Sequence, residues 1–282
     1  MKNLQLITAE NLTELLELLN KEERKYCFIS GGTDVMVLLK EFLIDPQCLY
    51  DISSISELME INVNNDSIEI GAAVTMSDII ADNEVSKFAS VLVSALKEVG
   101  SPLIRNRATL GGNVGNSSPA GDSIPALYVL NARVKIVSEE RERTVKIEDF
   151  IIGPRRNVLE KGEIIKSFVI DKMGKDEKSF FLKAGSRNAL AISKANLALR
   201  VMLKDNVINN MALSFGSVGP VVIKATRIPK LFIGKKLDRT LIDKSCSLVS
   251  EEIKPIDDFR STAKYRIKVL ENLLRKCLNE FC

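Results

Sequence analysis

The segment of residues 109–122, TLGGNVGNSSPAGD, combines residue types that suit a phosphate-bearing ligand. It holds four of the fifteen glycines in this 282-residue chain, with two asparagines, two serines and a single charged side chain. Glycines let a ligand come close to the main chain and leave N–H groups uncovered, while hydroxyls and amides add donors and acceptors. The composition predicts a loop around a phosphate group. A flexible surface loop is the alternative that these residues alone leave open.

A second segment of similar character is ISGGTDVM, residues 29–36. Its glycines, Gly31 and Gly32, directly follow the apolar run YCFIS, which predicts a strand that ends in a glycine turn. The Asp34 carboxylate suits a turn or a hydroxyl partner, since its charge would repel a phosphate. Neither segment matches the Rossmann or P-loop fingerprint. We expect a diphosphate to lie between two loops, with a pair of unrelated turns as the alternative.

Composition excludes several kinds of site. The chain has no histidine, which removes Ser–His and Cys–His nucleophilic machinery and the commonest nitrogen ligand of metals. None of the cysteines has C-x-x-C spacing, so we predict no iron–sulfur or zinc site, no catalytic side chain and mostly buried apolar roles. These cysteines are Cys27, Cys48, Cys246, Cys277 and Cys282. Any chemistry would therefore be carried out by a bound cofactor.

The charge and hydropathy are those of an ordinary globular chain. Forty basic and thirty-seven acidic side chains give a net charge of +3, which does not favour nucleic acid as a partner. The chain has no apolar run of about eighteen residues, so we expect no membrane span. The start, MKNLQLITAENL, lacks an apolar signal core, which favours a cytoplasmic location.

Hydrophobic periodicity predicts alternating strands and helices in the first part of the chain. We expect an amphipathic helix over residues 8–19 with Thr8 as its cap, and a longer helix over residues 85–99. TMSDII opens another helix, with Thr75 and Asp78 as a capping pair. The run ALYVLNARVKIV, by contrast, favours a strand.

A charged stretch at residues 171–178, DKMGKDEK, predicts a boundary between a first domain of residues 1–174 and a second of residues 175–282. Beyond it, SFFLKAG, NLALRVMLK and VINNMALSFGSVG are three strand candidates, the last two joined by a hairpin turn at Asp205 and Asn206. The chain closes with two amphipathic helices.

Four stretches carry a resemblance to a known family: ISGGTDVM, IGAAVTMSDI, GSPLIRNRATLGGNVGNSSPAGDSIPAL and YRIKVLENLLRKCL. In this order they resemble the FAD-binding medium subunit of molybdenum hydroxylases, the group of xanthine dehydrogenase, nicotinate dehydrogenase and carbon monoxide dehydrogenase. The resemblance implies an α+β fold. A non-Rossmann FAD-binding domain of two α/β subdomains would be followed by a small domain with a three-stranded antiparallel sheet and helices.

The resemblance also implies FAD as the cofactor and a set of residues that hold it. Two stretches would enclose the diphosphate, with Asn116 near it and Asp122 as an acceptor for the cofactor. Ile165 would pack beside the flavin, and the Lys183 cation would lie near the isoalloxazine, where it favours the anionic reduced form. The full set is Phe28, Ile29, Ser30, Gly31, Gly32, Thr33, Asp34, Val35, Thr109, Leu110, Gly111, Gly112, Asn113, Asn116, Asp122, Ile165 and Lys183.

Four further residues flank these stretches. Val99 stands where relatives can carry an aromatic residue beside the flavin. Arg105 and Arg107 favour structural or subunit-interface roles over catalytic ones. Arg187 favours a surface charge, with an ion pair or a nicotinamide-nucleotide contact as alternatives.

The resemblance further implies that this chain transfers electrons within a complex. Its partners would be a [2Fe–2S] small subunit and a molybdopterin-binding large subunit, with NAD as the acceptor; the holoenzyme's substrate stays open. Two alternatives remain. One is a stand-alone flavoenzyme of the UDP-N-acetylenolpyruvoylglucosamine reductase type, and the other is an assembly protein that kept the fold without the cofactor.

Overall fold

The computed structural model describes residues 4–187 and 189–281. Its N-terminal part is a three-stranded parallel sheet of order β1-β3-β2, with a helix in each connection. Four leucines on one face of α1 pack into the core beneath this sheet. The elements are β1 (Gln5–Thr8), α1 (Leu12–Asn20), β2 (Tyr26–Ile29), α2 (Val35–Lys40) and β3 (Cys48–Asp51).

The start of α1 differs from the sequence expectation. Thr8 ends β1, where it pairs with Asp51, so it does not cap the helix. The cap is Asn11, whose side chain accepts a hydrogen bond of 2.9 Å from the Glu14 main-chain N–H. Either Thr or Asn can cap a helix, and pairing with β3 decides between them.

The central part is a five-stranded antiparallel sheet of order β4-β5-β10-β6-β7, surrounded by short helices. A separate two-stranded hairpin, β8-β9, lies beside it. The elements are β4 (Ile61–Val63), β5 (Ser67–Gly71), α3 (Met76–Ala81), α4 (Asn83–Phe88), α5 (Ser90–Lys97), α6 (Pro102–Arg105), α7 (Leu110–Gly115), α8 (Ser123–Val129), β6 (Arg133–Val137), β7 (Glu142–Lys146), α9 (Ile147–Phe150), β8 (Ile151–Gly153), β9 (Arg156–Asn157) and β10 (Ile164–Asp171).

Two expected elements in this region are wrong. The single helix over residues 85–99 is two helices, α4 and α5, which break at Ala89, where the main chain leaves helical geometry with φ of −141°. The first half of ALYVLNARVKIV belongs to α8, every residue of which is buried. A helix that is apolar on all sides cannot be told from a buried strand by periodicity. The expected Thr75 cap is confirmed, since its hydroxyl accepts from the Asp78 N–H at 3.1 Å.

The C-terminal part is an antiparallel sheet of order β11-β12-β13-β14 with three helices. The three long strands match the expected three-stranded sheet, and the two-residue β14 extends it. Asp205 and Asn206 form the expected hairpin turn, both with positive φ, +54° and +61°. The elements are β11 (Glu177–Ala184), β12 (Ala195–Lys204), β13 (Val207–Gly216), β14 (Ile223–Lys224), α10 (Arg227–Phe232), α11 (Arg239–Glu252) and α12 (Ala263–Asn279).

This last sheet is covered on both faces. Phe181 and Ala198 pack into the core that holds α5 and α8, whereas Leu197 and Leu199 point into the core formed with α10 to α12. At the seam with α8, the Ser214 hydroxyl donates to the Pro125 carbonyl at 2.8 Å. The C-terminal sheet therefore packs directly against α5 and α8 of the central part. No helix in the described ranges is long and apolar enough to cross a membrane.

Candidate functional site

Both glycine-rich segments face one cavity of about 540 Å³. It lies where the end of β2, the start of α2, the helix α7 and the strand β10 meet. Of the expected cofactor residues, those that line it are Phe28, Ser30, Gly31, Gly32, Thr33, Asp34, Val35, Thr109, Gly111, Gly112, Asn113, Asn116 and Ile165. The structure thus brings thirteen of the seventeen residues to a single cavity, from parts of the chain separated by many elements.

The first segment presents a run of free main-chain donors. From Gly31 to Val35, no N–H group donates a hydrogen bond to another protein atom among the described residues. Gly32 has φ of +72°, a left-handed conformation that glycine adopts without strain. Buried or half-buried N–H groups normally find an acceptor, and successive free N–H groups form a concave site for an anion. This segment is therefore suited to phosphate oxygens.

The second segment was expected to be a loop, and that expectation is wrong for residues 110–115, which form α7. The Thr109 hydroxyl caps the helix by accepting from the Gly112 N–H at 3.0 Å. The Gly111 N–H donates to the Ala72 carbonyl at 2.9 Å, and the Leu110 N–H donates to Val74. The first-turn donors of α7 are thus used for packing. The helix contributes a wall of small residues, while the free donors come from the first segment.

Glycine is required where the main chains of these segments pack against other main chains. A Cβ on Gly31 would lie 1.7 Å from the Arg107 carbonyl oxygen, and one on Gly111 would lie 2.5 Å from the Ala72 carbonyl oxygen. Contacts this short leave no room for any side chain. The two glycines therefore set how closely the N-terminal sheet, the segment before α7 and the central sheet approach.

Four expected residues lie off the cavity lining. Ile29 ends β2, and Leu110 is fully buried in the central core. Asp122 and Lys183 are buried against each other, with the lysine Nζ 2.5 Å from Asp122 Oδ2 and side-chain exposures of 6% for the lysine and 7% for the aspartate. The Asn196 amide donates to the other carboxylate oxygen at 2.9 Å. The Lys183 charge is thus compensated within the protein.

Asp122 is held in an unusual electrostatic setting. Burial raises the pKa of its carboxyl to about 6 from the ordinary 3.8, while the charge and hydrogen bond of Lys183 and the Asn196 amide act in the opposite direction. The exposed Glu98 carboxylate raises this pKa further. Ionisation of the Asp122 carboxyl is therefore favoured by the positive charge of Lys183 and opposed by burial.

Most of the apolar part of the cavity wall was missed by sequence reasoning, apart from Phe28, Val35, Val99 and Ile165. The missed residues are scattered over helices, strands and turns along the chain, and each has the pattern of an ordinary core residue, so no local signal marks them. They are Leu38, Ile44, Ile52, Ala72, Met76, Ile104, Ala108, Leu159 and Ile164. Asn157 was also missed; its amide donates to the Gly115 carbonyl at 2.9 Å and so supports the end of α7.

Two of the arginines near these segments, Arg105 and Arg187, donate hydrogen bonds to main-chain carbonyls. The Arg105 guanidinium donates to the Val99 and Gly100 carbonyls at 3.0 and 3.3 Å. The exposed Arg187 donates to the Leu190 carbonyl at 2.7 Å. Of the cysteines, Cys48, Cys246 and Cys277 are buried fillers as expected, Cys27 is half-buried at the cavity, and Cys282 lies outside the described residues.

The site joins a segment of free main-chain donors to a wall of small residues in a mixed fold, and such a site suits a phosphate-bearing ligand. The sequence also matches the family model for the FAD binding domain in molybdopterin dehydrogenase over residues 2–172. The model for the CO dehydrogenase flavoprotein C-terminal domain matches residues 180–281. The chain belongs to the family of FAD-binding medium subunits of molybdenum hydroxylases, which are oxidoreductases, and FAD is its cofactor.

Individual relatives agree with this assignment. The chain is 30% identical over 274 residues to the glyceraldehyde dehydrogenase medium chain of Sulfolobus acidocaldarius, covering 97% of this chain and 96% of that one. It is 28% identical to the nicotinate dehydrogenase FAD-subunit of Eubacterium barkeri, covering 98% and 95%. The fold matches a chain of carbon monoxide dehydrogenase from Hydrogenophaga pseudoflava, with a TM-score of 0.93 at 20% identity over 98% and 96% of the two chains. The expected fold class is confirmed.

The contact at Gly31 gives a testable prediction. Gly31→Ala places a methyl group against the Arg107 carbonyl, and we expect it to lower the free energy of unfolding by about 1–3 kcal/mol. Gly153→Ala is the matched control, because its Cβ would find its nearest atom at 4.0 Å. Urea unfolding followed by circular dichroism measures both. Equal stability of the two variants would show that the segments do not pack as described.

The setting of Asp122 predicts a dependence of stability on pH. Because the folded protein holds the Asp122 proton more tightly than the unfolded chain does, this group stabilises the fold fully below its ordinary pKa. That contribution is lost as the pH rises through about 6. The unfolding free energy of the unmodified protein, relative to Asp122→Asn, should therefore fall as the pH is raised from about 4 to about 7. A difference that stays flat over this interval would contradict the prediction.

Proposed function

We propose that this chain is the electron-transferring FAD subunit of a molybdenum hydroxylase complex, with a [2Fe–2S] subunit and a molybdopterin-binding subunit as partners and NAD as the acceptor. The observation that carries the cofactor site is the run of N–H groups from Gly31 to Val35, which have no acceptor among the described residues and lie at the cavity. A diphosphate carries two negative charges and several acceptor oxygens, which these donors match.

The residues around the cavity have distinct parts in this proposal. The N–H groups of the first segment and the hydroxyls of Ser30 and Thr33 bind the diphosphate. The small surface of α7, with Gly112, Asn113 and Asn116, closes the opposite side and supplies amide groups. Thr109 and Leu110 hold α7 in position, and Ile29 holds the end of β2, from which the first segment continues.

The remaining walls exclude water and orient the ring system. Ile165 on β10 is 5% exposed and lines the cavity, as does Val99. Asp122 and Lys183 belong to the proposal as a charged pair beside the cavity. When bound, FAD accepts electrons singly or in pairs, which is chemistry that none of the chain's own side chains supplies.

The partners are supported by the relatives' names. One relative is described as a medium chain and another as an FAD-subunit, which are terms for one component of a larger enzyme. The acceptor NAD and the cytoplasmic location rest on the sequence alone and stay predictions.

The cofactor site is tested by a charge at Thr33, whose side chain reaches the cavity. In Thr33→Glu a carboxylate competes with the phosphate for the free N–H groups, whereas Thr33→Gln has the same shape without the charge. We expect the Kd for FAD, measured by quenching of flavin fluorescence, to be at least about tenfold higher for Thr33→Glu than for Thr33→Gln. Equal affinities would place the diphosphate elsewhere.

The complex is tested by isolating the chain from its native cells through an affinity tag. We expect it to copurify with two other polypeptides, and metal analysis of the preparation to find iron and molybdenum. A yellow protein that elutes alone without either metal would contradict the proposed partners, while leaving the FAD site intact.

A further inference from the structure

The turn between α5 and α6, residues 98–101, is held by two cationic side chains, one on β11 and one on α6. Lys183 on β11 donates from Nζ to the Glu98 carbonyl at 2.9 Å. Arg105 on α6 donates to the next two carbonyls, those of Val99 and Gly100, at 3.0 and 3.3 Å. Three successive carbonyl groups thus accept hydrogen bonds from side-chain charges.

Such an arrangement has a physical reason at this point in the chain. Carbonyl groups at the end of a helix lack partners within it and carry the negative end of the helix dipole, so cations stabilise them. The turn also contains Gly100, whose φ is +49°. A Cβ there would lie 2.9 Å from the Ile104 side chain, so the turn is compact.

The turn forms a wall shared by two cavities. The Val99 side chain lines the cavity that faces both glycine-rich segments. Glu98, the residue before it, lines a second cavity of about 460 Å³ together with Lys183. A shift of the turn would therefore change the shape of the first cavity at Val99.

Lys183 is itself held in place from the C-terminal sheet. Its ammonium is buried and paired with Asp122, directly before α8, and the Asn196 amide on β12 donates to the other oxygen of that carboxylate. A buried ammonium without a partner is strongly unfavourable, so the aspartate keeps the lysine directed at Glu98. The chain of contacts runs from the sheet through one ion pair to the cavity wall.

We propose that Lys183 and Arg105 are positioning residues for the cofactor cavity, because they hold the carbonyl groups of the α5–α6 turn in place. Through Lys183, the C-terminal sheet thereby fixes the position of Val99 in the cavity wall. This rests on the proposed function for its effect on FAD, but the clamp itself is a property of the chain alone. The proposal gives Lys183 a role in positioning the turn, in addition to any effect of its charge on the flavin.

The experiment uses the full chain with Lys183→Met and Arg105→Met, each of which removes one cation from the clamp. Lys178→Met is the matched control, since this exposed lysine lies on the same strand and its Nζ is 5.5 Å from the Phe281 ring centroid. Hydrogen exchange of the amides in residues 98–101 is measured without FAD, together with the melting temperature. The Kd for FAD is then measured for each protein.

We expect both clamp variants to exchange faster in this turn and to bind FAD about tenfold more weakly, with the control unchanged. Lys183→Arg, which keeps a cation of similar reach, should recover most of the protection and affinity. Should Lys183→Met fail to fold, Arg105→Met still tests the clamp, because Arg105 is partly exposed and, among the described residues, its guanidinium hydrogen-bonds only to the turn.

Unchanged exchange in residues 98–101 for the clamp variants would overturn the inference. So would faster exchange without any loss of FAD affinity, because the turn would then not shape the cofactor cavity. If the unmodified chain fails to bind FAD, the proposed cofactor site is wrong, and the exchange data alone decide whether the clamp exists.

Discussion

The cavity depends on direct contact between main chains at two glycines. Gly31 lies against the Arg107 carbonyl and Gly111 against the Ala72 carbonyl, at distances that exclude any Cβ. These contacts bring the parallel N-terminal sheet and the helix α7 together across one gap. Because the chain turns sharply there, the N–H groups after Gly31 point away from every protein acceptor among the described residues. The same geometry that allows close packing therefore leaves donors free for a ligand.

The two glycine-rich segments have different roles: the first leaves its main-chain donors free for a ligand, and the second packs against the rest of the protein. The segment before α2 keeps its donors free, whereas α7 uses Thr109 and two carbonyls of the β5–α3 connection to satisfy its own first turn. A helix end that is already satisfied is rigid, and small residues along it let a ligand come close. One side of the cavity thus supplies hydrogen bonds, and the other supplies shape.

The C-terminal sheet is connected to this site by packing and by one buried ion pair. Its strands are covered on both faces, and the pair between Asp122 and Lys183 lies at the seam with α8. Two charges removed from water are tolerated only if each is well hydrogen-bonded, and here Asn196 and the Glu98 carbonyl complete the set. The arrangement makes the C-terminal part a structural support for a cavity that it does not line.

Local chemistry was readable from the sequence, and partners distant in the chain were not. The sequence by itself determined the two glycine-rich segments, the Thr75 cap, the turn at Asp205 and Asn206, the absence of histidine chemistry and the family. These depend on neighbouring residues or on composition. Only the tertiary structure decided that residues 110–115 form a helix and that α8 is not a strand, because the burial that settles each is created by distant elements. It also decided that Lys183 pairs with Asp122, 61 residues earlier in the chain, and that scattered aliphatic residues line one cavity.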